Sequence, residues 1–93
     1  MKNTYVAGFM FSPDFENVIL IEKEKPAWQK GKYNAVGGKI ENAETPMVAM
    51  AREFKKETFI ETKPEDWRPL CRIGMELISF SFFTQQIKTG AII

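Results

Sequence analysis

Residues 45–58, TPMVAMAREFKKET, restrict this chain more than any other stretch, because they read as one well-started helix set between runs of strand. Threonine before proline is a strong helix start. The hydroxyl accepts from a first-turn N–H, and proline at the first helical position has no N–H to leave unsatisfied. Met47, Met50 or Ala51, and Phe54 then mark an apolar face. Upstream, residues 5–11 and 18–21 are apolar and β-prone, and the turn-rich residues 12–17 between them predict a hairpin. Residues 22–31 are polar, with a proline and Trp28, and predict a loop over the sheet. Residues 32–40 predict one or two short strands around Gly37 and Gly38, where the backbone can bend or approach a ligand. Downstream, residues 70–73 and 77–84 predict a second pair of strands. In the latter Ile78, Phe80 and Phe82 alternate with Ser79, Ser81 and Phe83, which predicts one face for burial. The pattern predicts an α/β fold with a mixed sheet and one central helix.

The chain has 93 residues, which bounds it to one domain with a modest core. Its apolar content of 44% is ample for packing and too high for a disordered segment. A net charge of +1, with lysines and glutamates interleaved, gives no footprint for duplex nucleic acid or an anionic membrane. The single cysteine, Cys71, excludes an internal disulfide, and the absence of histidine leaves acid-base chemistry to carboxylates or lysines. The amino terminus lacks a signal-peptide pattern and no apolar run approaches about 18 residues, so a cytoplasmic protein is the expectation.

Glu53 and Glu57 are four residues apart and so lie above one another on the predicted helix, where two carboxylates can share a divalent cation. Hard oxygen ligands favour Mg²⁺ or Mn²⁺ over zinc. Mg²⁺ keeps several waters and completes its shell with substrate phosphates, so such a pair suits a phosphorylated small molecule. The same spacing occurs on solvated helix faces. What sets this one apart is Gly38, Glu44 and Arg52 at fixed intervals before it.

Together, residues 38–60, GKIENAETPMVAMAREFKKETFI, resemble the Nudix box. Gly38, Glu44, Arg52, Glu53, Phe54, Glu57 and Ile60 fall in its register. Two positions depart: Lys56 stands where the box has the first glutamate of a Glu-Glu pair, and Phe59 where it has a glycine. The resemblance implies a single domain over residues 1–93, a Nudix-like α/β/α sandwich with a mixed β-sheet, shortened at the C-terminal end. It implies a metal-dependent pyrophosphohydrolase that cleaves a nucleoside triphosphate or another nucleoside diphosphate linked to a group X. It assigns the metal, Mg²⁺ or Mn²⁺, to Glu53 and Glu57, and gives Arg52 and Glu44 the task of fixing the loop and the metal-binding glutamates. A planar guanidinium suits that task.

Gly37 and Gly38 are expected to present backbone N–H groups near the box, with Lys39 either touching phosphate or solvated. The run from Gly31 to Lys39 looks most like members that hydrolyse purine nucleoside triphosphates, including 8-oxo-dGTP. On that reading Asn34 reads the base edge and Trp28 or Tyr33 stacks on the ring; an asparagine in a turn beside packed aromatics is the other reading. Lys56 places a positive charge beside the carboxylates, at a cost of about 1–3 kcal/mol of metal affinity, or else contacts a phosphate. Phe59 replaces a residue that ends the helix with positive φ, so a rebuilt helix end is expected.

Family members continue with further strands and a second large helix over the other sheet face, whereas this sequence ends at QQIKTGAII with no acidic residue after Glu76. An uncovered face predicts a homodimer, a protein partner or a compact variant. Two functions follow: a Nudix-type hydrolase, or a weak or inactive Nudix-fold module that binds a nucleotide or a protein as an inhibitor or regulatory subunit.

Overall fold

A computed structural model describes residues 3–22, 31, 33–74 and 76–86. Along these, β1 (Asn3–Phe11), β2 (Ile21–Glu22), β3 (Tyr33–Asn34), β4 (Val36–Lys39), α1 (Pro46–Thr58), β5 (Arg68–Gly74) and β6 (Ile78–Gln86) follow in order. Four strands form one sheet in the order β4-β1-β6-β5, and β2 pairs with β3 separately. β1 runs antiparallel to β4, with Val6 opposite Gly38 and Gly8 opposite Val36. It runs parallel to β6, from Asn3 beside Ile78 to Phe11 beside Gln86. A parallel neighbour requires a crossover, and α1 lies on that crossover. The turn expected over residues 12–17 is present: Ser12 N–H donates to Asn17 O at 2.9 Å, and Phe11 bridges Val18. Trp28 lies outside the described residues.

The helix begins as its sequence dictates, with Thr45 Oγ1 accepting from Val48 N–H at 3.3 Å and Pro46 in the first turn. Its end differs from the expectation. Phe59 keeps the left-handed conformation, φ 64°, and its N–H donates to Lys55 O at 2.8 Å. The glycine-type helix end is therefore retained by a phenylalanine whose ring stands in solvent, 89% exposed. Packing after the cap explains this, since the chain must leave α1 on a path that brings Trp67 back beneath it. Trp67 is buried edge-on against Phe54, ring centroids 5.2 Å apart, and its Nε1 donates to Thr62 Oγ1 at 2.9 Å.

The core is Val6, Met10 and Val36 from the sheet, Ala49, Met50 and Phe54 from α1, with Trp67 and Phe83. Gly8 lets the helix approach β1: a β-carbon there would sit 2.6 Å from Met50 Sδ. The face of β6 that is buried is the one carrying Ser79, Ser81 and Phe83. Ser79 and Phe83 are buried, whereas Ile78 and Phe80 are exposed. Register is the reason, because pairing with β1 sets Ser81 beside Val6 and Phe83 beside Gly8, on the helix side of the sheet. The buried Ser79 hydroxyl accepts from Arg72 Nε at 3.0 Å, so its burial leaves no orphaned oxygen. On the opposite face Tyr5 stacks on Phe80 at 5.1 Å and Phe80 on Phe82 at 6.3 Å. Among the described residues α1 is the one α-helix, and it covers the other side. No helix among them is long and apolar enough to cross a membrane.

Candidate active site

The site grows from the seam between β4 and α1. Gly38 faces the helix because it alternates with the buried Val36 and lies opposite Val6. Above it sits the Glu53 carboxylate, whose residue is only 5% exposed. A β-carbon at Gly38 would fall 2.6 Å from Glu53 Oε2 and 2.7 Å from Oε1, so the bare backbone is the seat of this side chain. Burying a carboxylate is costly unless it is paired and hydrogen-bonded. Arg52 supplies the pairing, with Nη1 donating to Glu53 Oε1 at 2.6 Å.

Arg52 is otherwise fully engaged. Its Nε donates to Glu44 Oε2 at 2.6 Å and its Nη2 to Glu44 Oε1 at 2.9 Å, a two-pronged pair. Nη2 also donates to the backbone carbonyl of Lys39 at 3.0 Å. Glu44 in turn accepts from Glu41 N–H at 2.9 Å, and Glu44 N–H donates to Glu41 O at 3.2 Å. One guanidinium thus ties the end of β4, the loop after it and the helix into a rigid frame. The Arg52 hydrogen bond holds the Glu44 carboxyl below the usual carboxylate range, and the Glu44 and Glu53 carboxylates push the Arg52 guanidinium still higher than its ordinary value. Arg52 is thus bonded to both Glu44 and Glu53 in the fold.

Glu57 is exposed on α1, one turn beyond Glu53 in the same row. Arg52 and Lys56 form the neighbouring row. Lys55 pairs with Glu61 at 2.7 Å, whereas Lys56 has no ion-pair partner among the described residues. The residues fit a partly hydrated divalent cation: Glu53 Oε2, which Arg52 leaves unclaimed, and the exposed Glu57 carboxylate are hard oxygen donors one helical turn apart. Glu41, Glu44 and Glu53 converge on Arg52, but among the described residues no group of three acidic, thiol or imidazole side chains is placed to share a metal ion.

The remaining expected residues are arranged differently. Lys39 alternates with Gly38 on β4, so its side chain belongs to the face away from Glu53, and its contribution to the frame is a carbonyl. Gly37 lies against β1, where a β-carbon would collide with the Val6 carbonyl and sit 2.9 Å from Ala7 Cα; close strand packing accounts for that glycine. Asn34 and Tyr33 are exposed on β3, and Asn34 Oδ1 accepts from Ala35 N–H at 2.8 Å. Glu41 was not anticipated from the sequence. It stands 3.5 Å from Arg52 Nη1 and closes the loop with Glu44, and its only sequence signal is its place inside the Gly38-to-Glu44 spacing.

Solved structures share this arrangement of helix and sheet. A structure from work on MutT of Aliivibrio salmonicida and Vibrio cholerae is 24% identical with a TM-score of 0.77, covering 91% of this chain and 65% of its own. The Escherichia coli ORF135 protein is 22% identical at a TM-score of 0.73, covering 91% and 61% respectively. A MutT/nudix family protein of Enterococcus faecalis is 14% identical at 0.76, covering 94% and 37%. The chain therefore spans less than two thirds of the length of each. At these identities the likeness shows a common fold. The family model described as NUDIX domain matches residues 1–92, nearly the whole sequence, and with the box frame in place the chain belongs to the NUDIX domain family.

Proposed function

We propose that the chain is a metal-dependent pyrophosphohydrolase acting on a nucleoside triphosphate or another nucleoside diphosphate linked to a group X. The observation that carries this reading is the buried, arginine-held Glu53 directly over Gly38 with Glu57 one turn away. Glu53 and Glu57 would hold Mg²⁺ or Mn²⁺, which when bound would neutralise phosphate charge and make a water more acidic. In hydrolysis the water oxygen forms a bond to phosphorus, the bridging P–O bond breaks, and the leaving phosphate keeps its electron pair. The water must also lose a proton. The chain has no histidine, and Arg52 already takes one oxygen of Glu53, so the acceptor at hand in this row is the exposed Glu57 carboxylate, which has a second oxygen to spare. Arg52 keeps Glu53 in one orientation while Glu44 keeps Arg52 in place, so the donors need no reorganisation when substrate arrives.

Base recognition in this reading belongs to the exposed Asn34, with Tyr33 or Trp28 stacking on a purine. Gly38 makes room for Glu53, and Lys56 meets the phosphates. A second reading is favoured by the short acidic set and by Lys56: a Nudix-fold module that binds a nucleotide or a protein partner with little turnover. Release of phosphate or pyrophosphate from nucleoside triphosphates, oxidised purine triphosphates, ADP-ribose and dinucleoside polyphosphates, with Mg²⁺, Mn²⁺ or EDTA, separates the two. Metal-dependent turnover supports the hydrolase. A folded protein inert across the panel leaves the binding module.

A further inference from the structure

We infer that this site is built for one divalent cation, with the Lys56 ammonium standing in for a second positive centre against the diphosphate of the substrate; the inference rests on the proposed site. The argument is one of charge and open donors. Arg52 spends its guanidinium on Glu44 through two hydrogen bonds and on one oxygen of Glu53. Glu53 is left with a single oxygen, Oε2, for any cation, and Glu57 adds one exposed carboxylate. Among the described residues no third acidic side chain is placed to share a cation with them, although Glu41 stands 3.5 Å from Arg52 Nη1.

One divalent ion balances the two carboxylates of this row. Among the described residues a second ion finds no further acidic side chain placed to share it, and it would settle beside an ammonium, because Lys56 follows Glu53 by three residues, a spacing that sets neighbouring helix β-carbons about 5–6 Å apart. Repulsion between like charges at that range is strong wherever water is partly excluded. For a phosphate the same ammonium is favourable. Lys56 is exposed and, unlike Lys55, has no ion-pair partner among the described residues, so contact with substrate need not break an existing pair. A lysine also carries three donors on a flexible stem and acts as a point charge toward phosphate oxygens.

Two binding measurements test this without relying on turnover. In a Mn²⁺ titration followed by electron paramagnetic resonance, the wild-type chain is expected to take up one ion and Lys56→Glu two. In EDTA, the affinity for a non-hydrolysable imido-linked nucleoside triphosphate is expected to fall about tenfold in Lys56→Ala and to be largely kept in Lys56→Arg. Circular dichroism verifies that these exposed-site variants are folded. Two ions on the wild-type chain, or an unchanged affinity in Lys56→Ala, overturns the inference. Absence of hydrolysis with both binding results as expected overturns the hydrolase reading while supporting this one.

Discussion

Gly38 and Glu53 share one space: the carboxylate lies where a side chain at position 38 would have to go, with Oε2 only 2.6 Å from the place of a β-carbon. Gly38 is not among the residues with positive φ, so the requirement is for room rather than for an unusual backbone. Gly38→Ala must displace Glu53 from Arg52 or push β4 from the helix. Overpacking of this kind costs about 1–3 kcal/mol. The expected outcome is a lower urea midpoint together with weakened Mn²⁺ binding, whereas a change in stability alone would show that Glu53 had found an equivalent position.

Phe59 presents the opposite case, a left-handed backbone in a residue with no packing to justify it locally, φ 64° and 89% exposed. Left-handed geometry costs a side-chain-bearing residue about 1–2 kcal/mol and glycine almost nothing. Phe59→Gly is expected to raise stability by about 1 kcal/mol after the greater entropy of glycine in the unfolded chain is counted. Denaturant titration at constant m-value reads this directly.

Trp67 anchors the return of the chain beneath α1, filling the core against Phe54 while Thr62 satisfies its N–H. Trp67→Ala is expected to remove about 3–5 kcal/mol, enough to unfold much of a small domain at room temperature. Trp67→Phe keeps most of the volume and loses the N–H bond. A thermal melt in which Trp67→Ala matched the wild type would contradict this packing.

The Arg52–Glu44 pair also sets an acid dependence. The hydrogen bond from Arg52 is the first cause that holds the folded-state pKa of Glu44 below the ordinary glutamate value. A depressed carboxylate contributes stability that is present above its unfolded pKa and is lost as pH falls through the folded one. Stability is therefore expected to hold at neutral pH and to decline below about 4.5, with Glu44→Gln less stable at pH 7 and flatter on the acid side. Melting curves at stepped pH give both slopes.

What could be read from the sequence was what fixed spacing determines. Thr45 and Pro46 declared the start of α1, and the intervals among Gly38, Glu44, Arg52, Glu53 and Glu57 carried the family, because each lies on one continuous strand-loop-helix unit. Alternation in β6 defines two faces without saying which one a helix covers. That choice rests on parallel register with a strand about seventy residues earlier. Phe59 was misread because the local penalty was legible and the distant pull of Trp67 was not. The seat that Gly38 provides for Glu53 was also hidden, since it exists only when β4 and α1 meet. Lys39 shows the converse: its charge drew attention to the side chain, whereas the contact it makes to the Arg52 frame is through its backbone carbonyl.

The most direct measurement is metal-dependent turnover of the best nucleoside triphosphate in the panel by the wild-type chain and by Glu57→Gln, which keeps the size of an exposed side chain and removes its charge. Even supporting partners around a metal are worth about 10–100-fold, so loss of a ligand should lower turnover by more than about 100-fold. The account predicts that loss with the fold unchanged. Turnover undiminished in Glu57→Gln would contradict it.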